Sequence, residues 1–146
     1  MQNPGIKRFL ILLAAAAGAC LLADYLIVTD AERIDVLIDR GESAVEEGNL
    51  AVIAELLSPD FEYEGMERDR FRRFADSILK KYAPMNIILM RREIAFPSKE
   101  QASVRFMALT SPRGPSQLPG LTRSSWELRF KKEDDAWRIT GIELVR

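Results

Sequence analysis

The spacing of apolar residues predicts three helices in the first half of the chain. Apolar side chains recur at helical intervals from residue 34 to 45, from 50 to 57 and from 71 to 82, with charged residues on the opposite sides. Gly48-Asn49 separates the first two helices, because glycine suits a helix end and asparagine suits an N-cap. Pro84 ends the third helix, since proline cannot continue it.

Alternation of apolar and polar residues then predicts strands. We expect a short strand at residues 61–63, two long strands at 85–96 and 101–110, and a hairpin of two more long strands from 125 to 146. Residues 111–120, with three prolines and two glycines, predict a long loop before that hairpin. Helices followed by strands indicate an α+β fold, with three helices packed on one side of a curved antiparallel sheet of four long strands and one short strand.

The last strand carries a change of phase. Trp137 and Ile139 alternate with polar residues, but Ile142 and Leu144 follow one position out of step. One extra residue at Thr140-Gly141 would return all four side chains to one face. We therefore expect a β-bulge there, which would also bend the strand.

Charge and composition exclude several function classes. The chain has 21 Lys and Arg against 22 Asp and Glu, a balance that gives no general attraction for nucleic acid. It has one cysteine, Cys20, and no histidine. An intrachain disulfide, a Cys-His zinc site and an imidazole base are therefore excluded. We expect no cofactor.

One acidic stretch imitates a calcium loop. Asp60, Glu62 and Glu64 followed by Gly65 copy the first positions of an EF-hand. Phe71 stands where the bidentate glutamate is needed, and the same alternation is that of a strand. We expect no metal site.

The N-terminal segment predicts a membrane anchor. Residues 9–28 are apolar except for Gly18, Asp24 and Tyr25, and Lys7-Arg8 precede them. About 20 such residues span the hydrocarbon core of a bilayer, and the basic pair is expected to stay in the cytoplasm. The prediction is a single-pass protein with an uncleaved signal anchor at 1–28. Its domain, residues 29–146, would lie outside the cytoplasm, on the periplasmic side of a bacterial inner membrane.

Two other interpretations of this segment stay open. Ala17-Gly18-Ala19 offers a cleavage site for a secretory signal. Cys20, directly after it, could instead be the acylated residue of a lipoprotein. The apolar run continues through residues 21–23 and 26–28. This favours the uncleaved anchor, because a processed chain would begin with an apolar segment.

Three segments carry a resemblance to a known family. EEGNL at 46–50, AELLSPDF at 54–61 and KEDDAWRITGI at 132–142 are similar to the nuclear transport factor 2-like superfamily with its cystatin-like α+β cone, including its SnoaL-like members. The resemblance covers residues 29–146. It implies a curved sheet wrapped around the helices, with a pocket inside. Members include isomerases, dehydratases, hydrolases and assembly modules, so the fold alone does not give a function.

The expected function is a non-catalytic binding or assembly module on the membrane. Its partner would be another protein, a second copy docked through the outer sheet face, or a small apolar ligand in the pocket. Side chains on the apolar faces of the third helix and the strands are the pocket candidates, although the same residues would also suit an ordinary core: Tyr63, Phe74, Ile78, Tyr82, Met90, Phe106 and Trp126.

The alternative is a small enzyme. The resemblance to ketosteroid-isomerase-like members implies proton transfer on a hydrophobic carbonyl compound by a carboxylate and a tyrosine, which needs no histidine. The candidates are the carboxylates and phenols of the middle of the chain, none of which lies in a matching motif: Asp60, Glu62, Asp76, Tyr63 and Tyr82. Asp60, next to Pro59, is equally a turn residue.

Overall fold

A computed structural model describes residues 29–113 and 121–145. The chain separates into two compact units, Met1–Arg33 and Ile34–Arg146, and residues 29–33 are the described part of the first. The predicted anchor at 9–28, with Cys20, lies outside the described residues. Within the described part, no helix is both long enough and apolar enough to span a membrane.

The three predicted helices are confirmed. Their bounds are Asp30–Glu47 (α1), Leu50–Leu56 (α2) and Arg68–Tyr82 (α3). Gly48 has φ of +70° and closes α1, because glycine adopts the left-handed region without a steric cost. The Asn49 side chain then accepts a hydrogen bond from the Val52 backbone N–H at 3.3 Å and caps α2.

In the described part of the chain, six strands form one sheet in the order β2-β1-β6-β5-β4-β3. Their bounds are Leu57–Tyr63 (β1), Met66–Glu67 (β2), Met85–Ser98 (β3), Gln101–Pro112 (β4), Thr122–Glu133 (β5) and Ala136–Val145 (β6). The four long strands and their antiparallel pairing are confirmed.

The prediction of a wholly antiparallel sheet with one short strand is wrong. β1 pairs with β6 in the parallel direction, and β2 is a second short strand that pairs antiparallel with β1. The sheet is therefore mixed. Alternation in a sequence shows which side chains share a face, but it does not show the direction of the neighbouring strand.

The predicted bulge in β6 is confirmed. Gly141 lies opposite Arg129 and Ile139 lies opposite Phe130, which leaves Thr140 as the extra residue. The bulge lets Ile139 and Ile142 line the same cavity, as the change of phase requires.

β3 contains a second bulge that the sequence pattern did not predict. Met90 pairs with Met107 and Glu93 pairs with Arg105, so β3 has one residue more than β4 in this interval. Arg91 has φ of +54°, and the side chain of Arg92 reaches α1, where it pairs with carboxylates. This bulge therefore ties the edge of the sheet to a helix.

The core lies between α1 and one end of the sheet. It is a cluster of buried side chains from α1, β4, β5 and β6: Ile34, Ile38, Ala102, Val104, Phe130 and Trp137. Burying an aliphatic or aromatic side chain of this size contributes about 1.5–3 kcal/mol. Trp137, only 5% exposed, therefore closes the core, as its place in the alternation predicts.

Candidate functional site

A cavity of about 390 Å³ lies between the helices and the inner face of the sheet. Gly41 of α1, Ala75 of α3 and Ala108 of β4 all border it. Because these three residues have small or no side chains, they leave space that larger residues would fill. Most of the remaining lining is apolar and includes Leu37, Val45, Ile53, Phe71, Phe74, Ile78, Ile87, Leu89, Phe106, Trp126, Leu128 and Ile142.

Five of the seven predicted pocket residues line this cavity: Tyr63, Phe74, Ile78, Phe106 and Trp126. Phe74 and Ile78 are also 43% and 37% exposed. They lie one helical turn apart on α3, so they share a face of that helix. Large apolar side chains that border a cavity and also touch solvent mark its opening, which therefore lies beside α3.

The other two candidates lie elsewhere. Met90 faces away from the cavity, because it belongs to the opposite face of β3 from Leu89. Tyr82 is the last residue of α3 and does not line the cavity; the Lys81 Nζ lies 5.0 Å from the centre of its ring.

Glu42 is the carboxyl group of this site. It lines the cavity from α1, and its Oε2 accepts a hydrogen bond from Arg92 Nη2 at 3.0 Å. Burial raises the pKa of Glu42 because water is withdrawn from its charged form. Arg92 and the backbone N–H of Leu89 act against this rise, and the carboxylates of Glu46 and Asp39 add to it.

Glu42 is not among the residues predicted from the sequence. The available signal was its spacing. Glu42 stands four residues after Ile38, which itself stands four residues after Ile34, so all three belong to one stripe of the helix. An acidic residue on an otherwise apolar stripe faces the interior of the fold.

Tyr63 is the second titratable side chain of the cavity. Burial raises the pKa of Tyr63, and the nearby Glu64 carboxylate raises it further. Its ring packs edge-on against Phe71, with 5.6 Å between ring centres, and Phe71 also contacts Phe61 and Phe74. Tyr63 is therefore fixed within an aromatic cluster at the β1 end of the cavity.

The three predicted catalytic carboxylates do not line the cavity. Asp60 and Glu62 are exposed and border a separate groove of about 1350 Å³, together with Arg105 and Arg129 from the outer face of the sheet. Asp76 lies on α3 and accepts a hydrogen bond from Lys80 Nζ at 2.6 Å. Among residues 29–113 and 121–145, no group of side chains has the composition of a metal site.

The cavity has few polar groups, and some of them already make hydrogen bonds within the protein. Glu42 is tied to Arg92, and Trp126 Nε1 donates a hydrogen bond to Ser124 Oγ at 2.7 Å. Thr110 adds one hydroxyl to the lining. The arrangement can enclose an apolar body and contact one polar group, which is how small-molecule sites are usually built.

No protein-family model and no curated protein matches this sequence. Solved structures, in contrast, are similar to its fold. A Novosphingobium aromaticivorans protein described as a scytalone dehydratase aligns with a TM-score of 0.70 at 18% identity, over 79% of this chain and 82% of its own. An NTF2-like protein of unknown function from Pseudomonas putida aligns with a TM-score of 0.67 at 12% identity, over 76% of this chain and 82% of its own.

A third similar structure belongs to a longer protein. Bd1075 from Bdellovibrio bacteriovorus aligns with a TM-score of 0.66 at 13% identity; the match covers 81% of this chain but only 44% of Bd1075. At such identities, likeness shows the fold alone. The domain therefore has the α+β fold of NTF2-like and cystatin-like proteins, with three helices on a mixed sheet.

Proposed function

We propose that this domain is a non-catalytic binding module that takes a small apolar ligand into the cavity beside α3. One observation carries the proposal: among the described residues that line the cavity, only Glu42, Tyr63 and Thr110 have a side-chain oxygen. The volume of about 390 Å³ lies within the range of about 300–1,000 Å³ that is usual for ligand sites.

The opening of the cavity supports the same function. Phe74 and Ile78 are each more than one-third exposed, and a ligand in the cavity would remove their apolar surface from water. Such burial stabilises a complex by about 25 cal/mol per Å². A single exposed apolar residue is ordinary, but these two stand side by side at the mouth of an apolar cavity.

Filling the cavity tests this function. Ala75 lines the cavity, so we expect Ala75→Phe to weaken the binding of a neutral fluorescent probe, N-phenyl-1-naphthylamine, at least about tenfold, a change of about 1.4 kcal/mol. Ala51→Phe is the matched control, because Ala51 is exposed on α2 and is not part of the lining. Unchanged binding by Ala75→Phe, with both variants folded, would refute the proposal.

We also propose that the site works outside the cytoplasm, held to a bilayer by residues 9–28. The support is the apolar segment that follows Lys7-Arg8. An alkaline phosphatase fused after Arg146 should be active in cells, and an inactive fusion would contradict this orientation. The mass of the mature chain separates the uncleaved anchor from cleavage after Ala19 and from acylation of Cys20.

Proton transfer on a hydrophobic carbonyl compound is the second candidate function. It is favoured by Glu42, a carboxyl group at the cavity whose pKa burial raises, because catalytic bases are tuned in this way. A cyclic enone would then exchange its α-protons for deuterium faster with the protein than in buffer, and Glu42→Gln would lower that rate by about 10²–10⁴. A wild-type rate equal to that of buffer excludes this alternative.

Self-association through the outer face of the sheet is the third proposal. Met90, Met107 and Val145 belong to one row of residues across this face. Met90 and Val145 are 37% and 41% exposed, and Ile88, on the same face of β3, is 56% exposed. Two copies that paired through this face would bury the row. Sedimentation of a monomer at all concentrations would contradict such pairing.

A further inference from the structure

We propose that the ligand of the cavity is a small organic cation, with an apolar body in the cavity and one primary amine held by the Glu42 carboxylate. This inference rests on the proposed binding function and adds the chemical class of the ligand to it. Three observations carry it: the sign of the charge beside the cavity, the bonding capacity of Glu42, and the aromatic lining.

The charge beside the cavity is negative. The Arg92 guanidinium faces three carboxylates of α1: Asp39 at 2.6 Å, Glu42 at 3.0 Å and Asp35 at 3.7 Å. One positive charge therefore faces three negative ones. Glu46, on the next turn of α1, accepts a hydrogen bond from the Ile87 backbone N–H at 2.8 Å and lies 3.8 Å from Arg113.

Glu42 is the only one of these four carboxylates that lines the cavity. A carboxylate offers about four lone-pair positions to donors. Arg92 takes one of them, and the Leu89 backbone N–H is the other donor nearby. Capacity therefore remains for an ammonium group that approaches from the cavity.

The withdrawal of water makes a positive ligand more favourable than a neutral one. Burial raises the pKa of Glu42 despite the presence of Arg92, which means that the ionised carboxylate lacks solvation in this place. An ammonium group would replace that solvation, whereas a neutral ligand would remove still more water from the charge. An anionic ligand would meet repulsion from Glu42, and the charge beside it, four carboxylates against Arg92 and Arg113, is negative in sum.

The aromatic lining suits the same kind of ligand. Phe106 and Trp126 are neighbours on adjacent strands and both line the cavity, as does Tyr63. Aromatic ring faces attract cations within about 6 Å of the ring centre. They also bury a flat apolar body.

Two ligands that differ only in charge provide the test. We expect 2-(1-naphthyl)ethylamine to bind the full chain near neutral pH about tenfold more tightly than 2-(1-naphthyl)ethanol, since hydrogen bonds to charged groups exceed neutral ones by about 1 kcal/mol or more. Glu42→Gln should weaken only the amine and so make the two affinities equal. Glu47→Gln, an exposed change on the same helix, should keep the preference.

Titration of the wild-type protein gives a second readout that needs no variant. As pH falls through the pKa of Glu42, the carboxylate is lost and the preference for the amine should disappear. Equal affinities in the wild type, or a preference that survives Glu42→Gln, would overturn the assignment of a cation while leaving apolar binding intact. Failure of both ligands to bind would overturn the proposed function as well.

Discussion

The Glu42 carboxyl lies between an apolar cavity and the Arg92 guanidinium. Its burial and its charged neighbour change its pKa in opposite directions. Burial withdraws water and raises the pKa, whereas the guanidinium lowers it by stabilising the carboxylate. Burial has the larger effect. Ionisation of Glu42 therefore opposes folding, because the unfolded chain solvates this carboxylate better than the folded protein does.

We expect this opposition to appear as a pH-dependent effect of Glu42→Gln. At pH values below the ordinary carboxyl pKa, both states of the wild type are protonated and ionisation costs nothing. As the pH rises, the folded state keeps its proton longer than the unfolded state and loses relative stability, until the cost is complete above the raised pKa. The melting temperature of the variant, minus that of the wild type, should therefore be higher at pH 7 than at pH 4.

A change of net charge alone must be separated from this effect. Glu47→Gln removes the same charge from an exposed position of α1 and provides that reference. If the melting temperature of Glu42→Gln, measured relative to that of Glu47→Gln, decreases from pH 4 to pH 7, Arg92 outweighs burial.

Two glycines with positive φ allow backbone strain to be separated from side-chain crowding. Gly65 has φ of +75° and open space where an alanine methyl group would lie, whereas at Gly48, with φ of +70°, such a methyl would lie 3.0 Å from Ala83 Cβ. We expect Gly65→Ala to cost about 1 kcal/mol from strain and Gly48→Ala to cost more. Urea unfolding measures the cost of both substitutions. A cost at Gly48 no larger than that at Gly65 would show that the contact with Ala83 adds nothing.

At the scale of elements, α1 protects the open edge of the sheet. β3 is the last strand in the sheet order, so one row of its backbone N–H groups has no strand partner among residues 29–113 and 121–145. Glu46 of α1 accepts the Ile87 N–H at 2.8 Å, and Glu42 lies near the N–H of Leu89. The bulge in β3 then brings Arg92 to the carboxylates of α1.

Removal of Arg92 should loosen this connection. Arg92 is only 24% exposed and pairs with three carboxylates, which Arg92→Ala would leave without their counter-charge. Because Asp35 and Asp39 are 48% and 63% exposed and water screens them, we expect a cost of about 1 kcal/mol. Arg91→Ala, the exposed neighbour, is the control and should change stability by about 0.5 kcal/mol or less. Equal effects in urea unfolding would show that the ion pairs with α1 add nothing to stability.

The elements that the sequence predicts well are those in which the apolar residues repeat regularly over many positions. The three helices repeat an apolar residue every three or four positions, and β4 to β6 alternate apart from one shift in β6, so both types follow from neighbouring residues. The bulge at Thr140 was predictable because it shifts an otherwise regular alternation. The parallel pairing of β1 with β6 was not, because it joins segments about 80 residues apart and leaves no local pattern.

The site was predictable to the extent that its residues are apolar. Phe74, Ile78, Phe106 and Trp126 follow from the apolar faces of α3, β4 and β5. Met90 was expected on the inner face, but it alternates with Leu89 and belongs to the outer one. Glu42 is not among the predicted residues because charged side chains are usually exposed, and its one local signal is its place on the helical stripe of Ile34 and Ile38.

In the whole molecule, the core and the cavity adjoin on one inner surface, and Ile38 belongs to both. Val104 and Phe130 pack with Ile34 and Ile38 to fill one part. The part that contains Phe106 and Trp126 stays open, bordered by Ala75 and Ala108. The core can thus supply stability while the cavity remains available to a ligand.

The two tryptophans allow these parts to be observed separately. The chain contains only Trp126, which lines the cavity, and Trp137, which is buried in the core. Trp137→Phe therefore leaves Trp126 as the reporter in the cavity. Trp126→Phe leaves Trp137 as the reporter in the core. A small brominated hydrocarbon such as bromocyclohexane quenches indole fluorescence on close contact.

Quenching of each single-tryptophan variant by bromocyclohexane is the most direct measurement of ligand entry. Saturable quenching of Trp126, with Trp137 unaffected over the same concentrations, is the result expected if the cavity takes an apolar ligand. Quenching that rises linearly without saturation, or that is equal at the two positions, would contradict binding in the cavity.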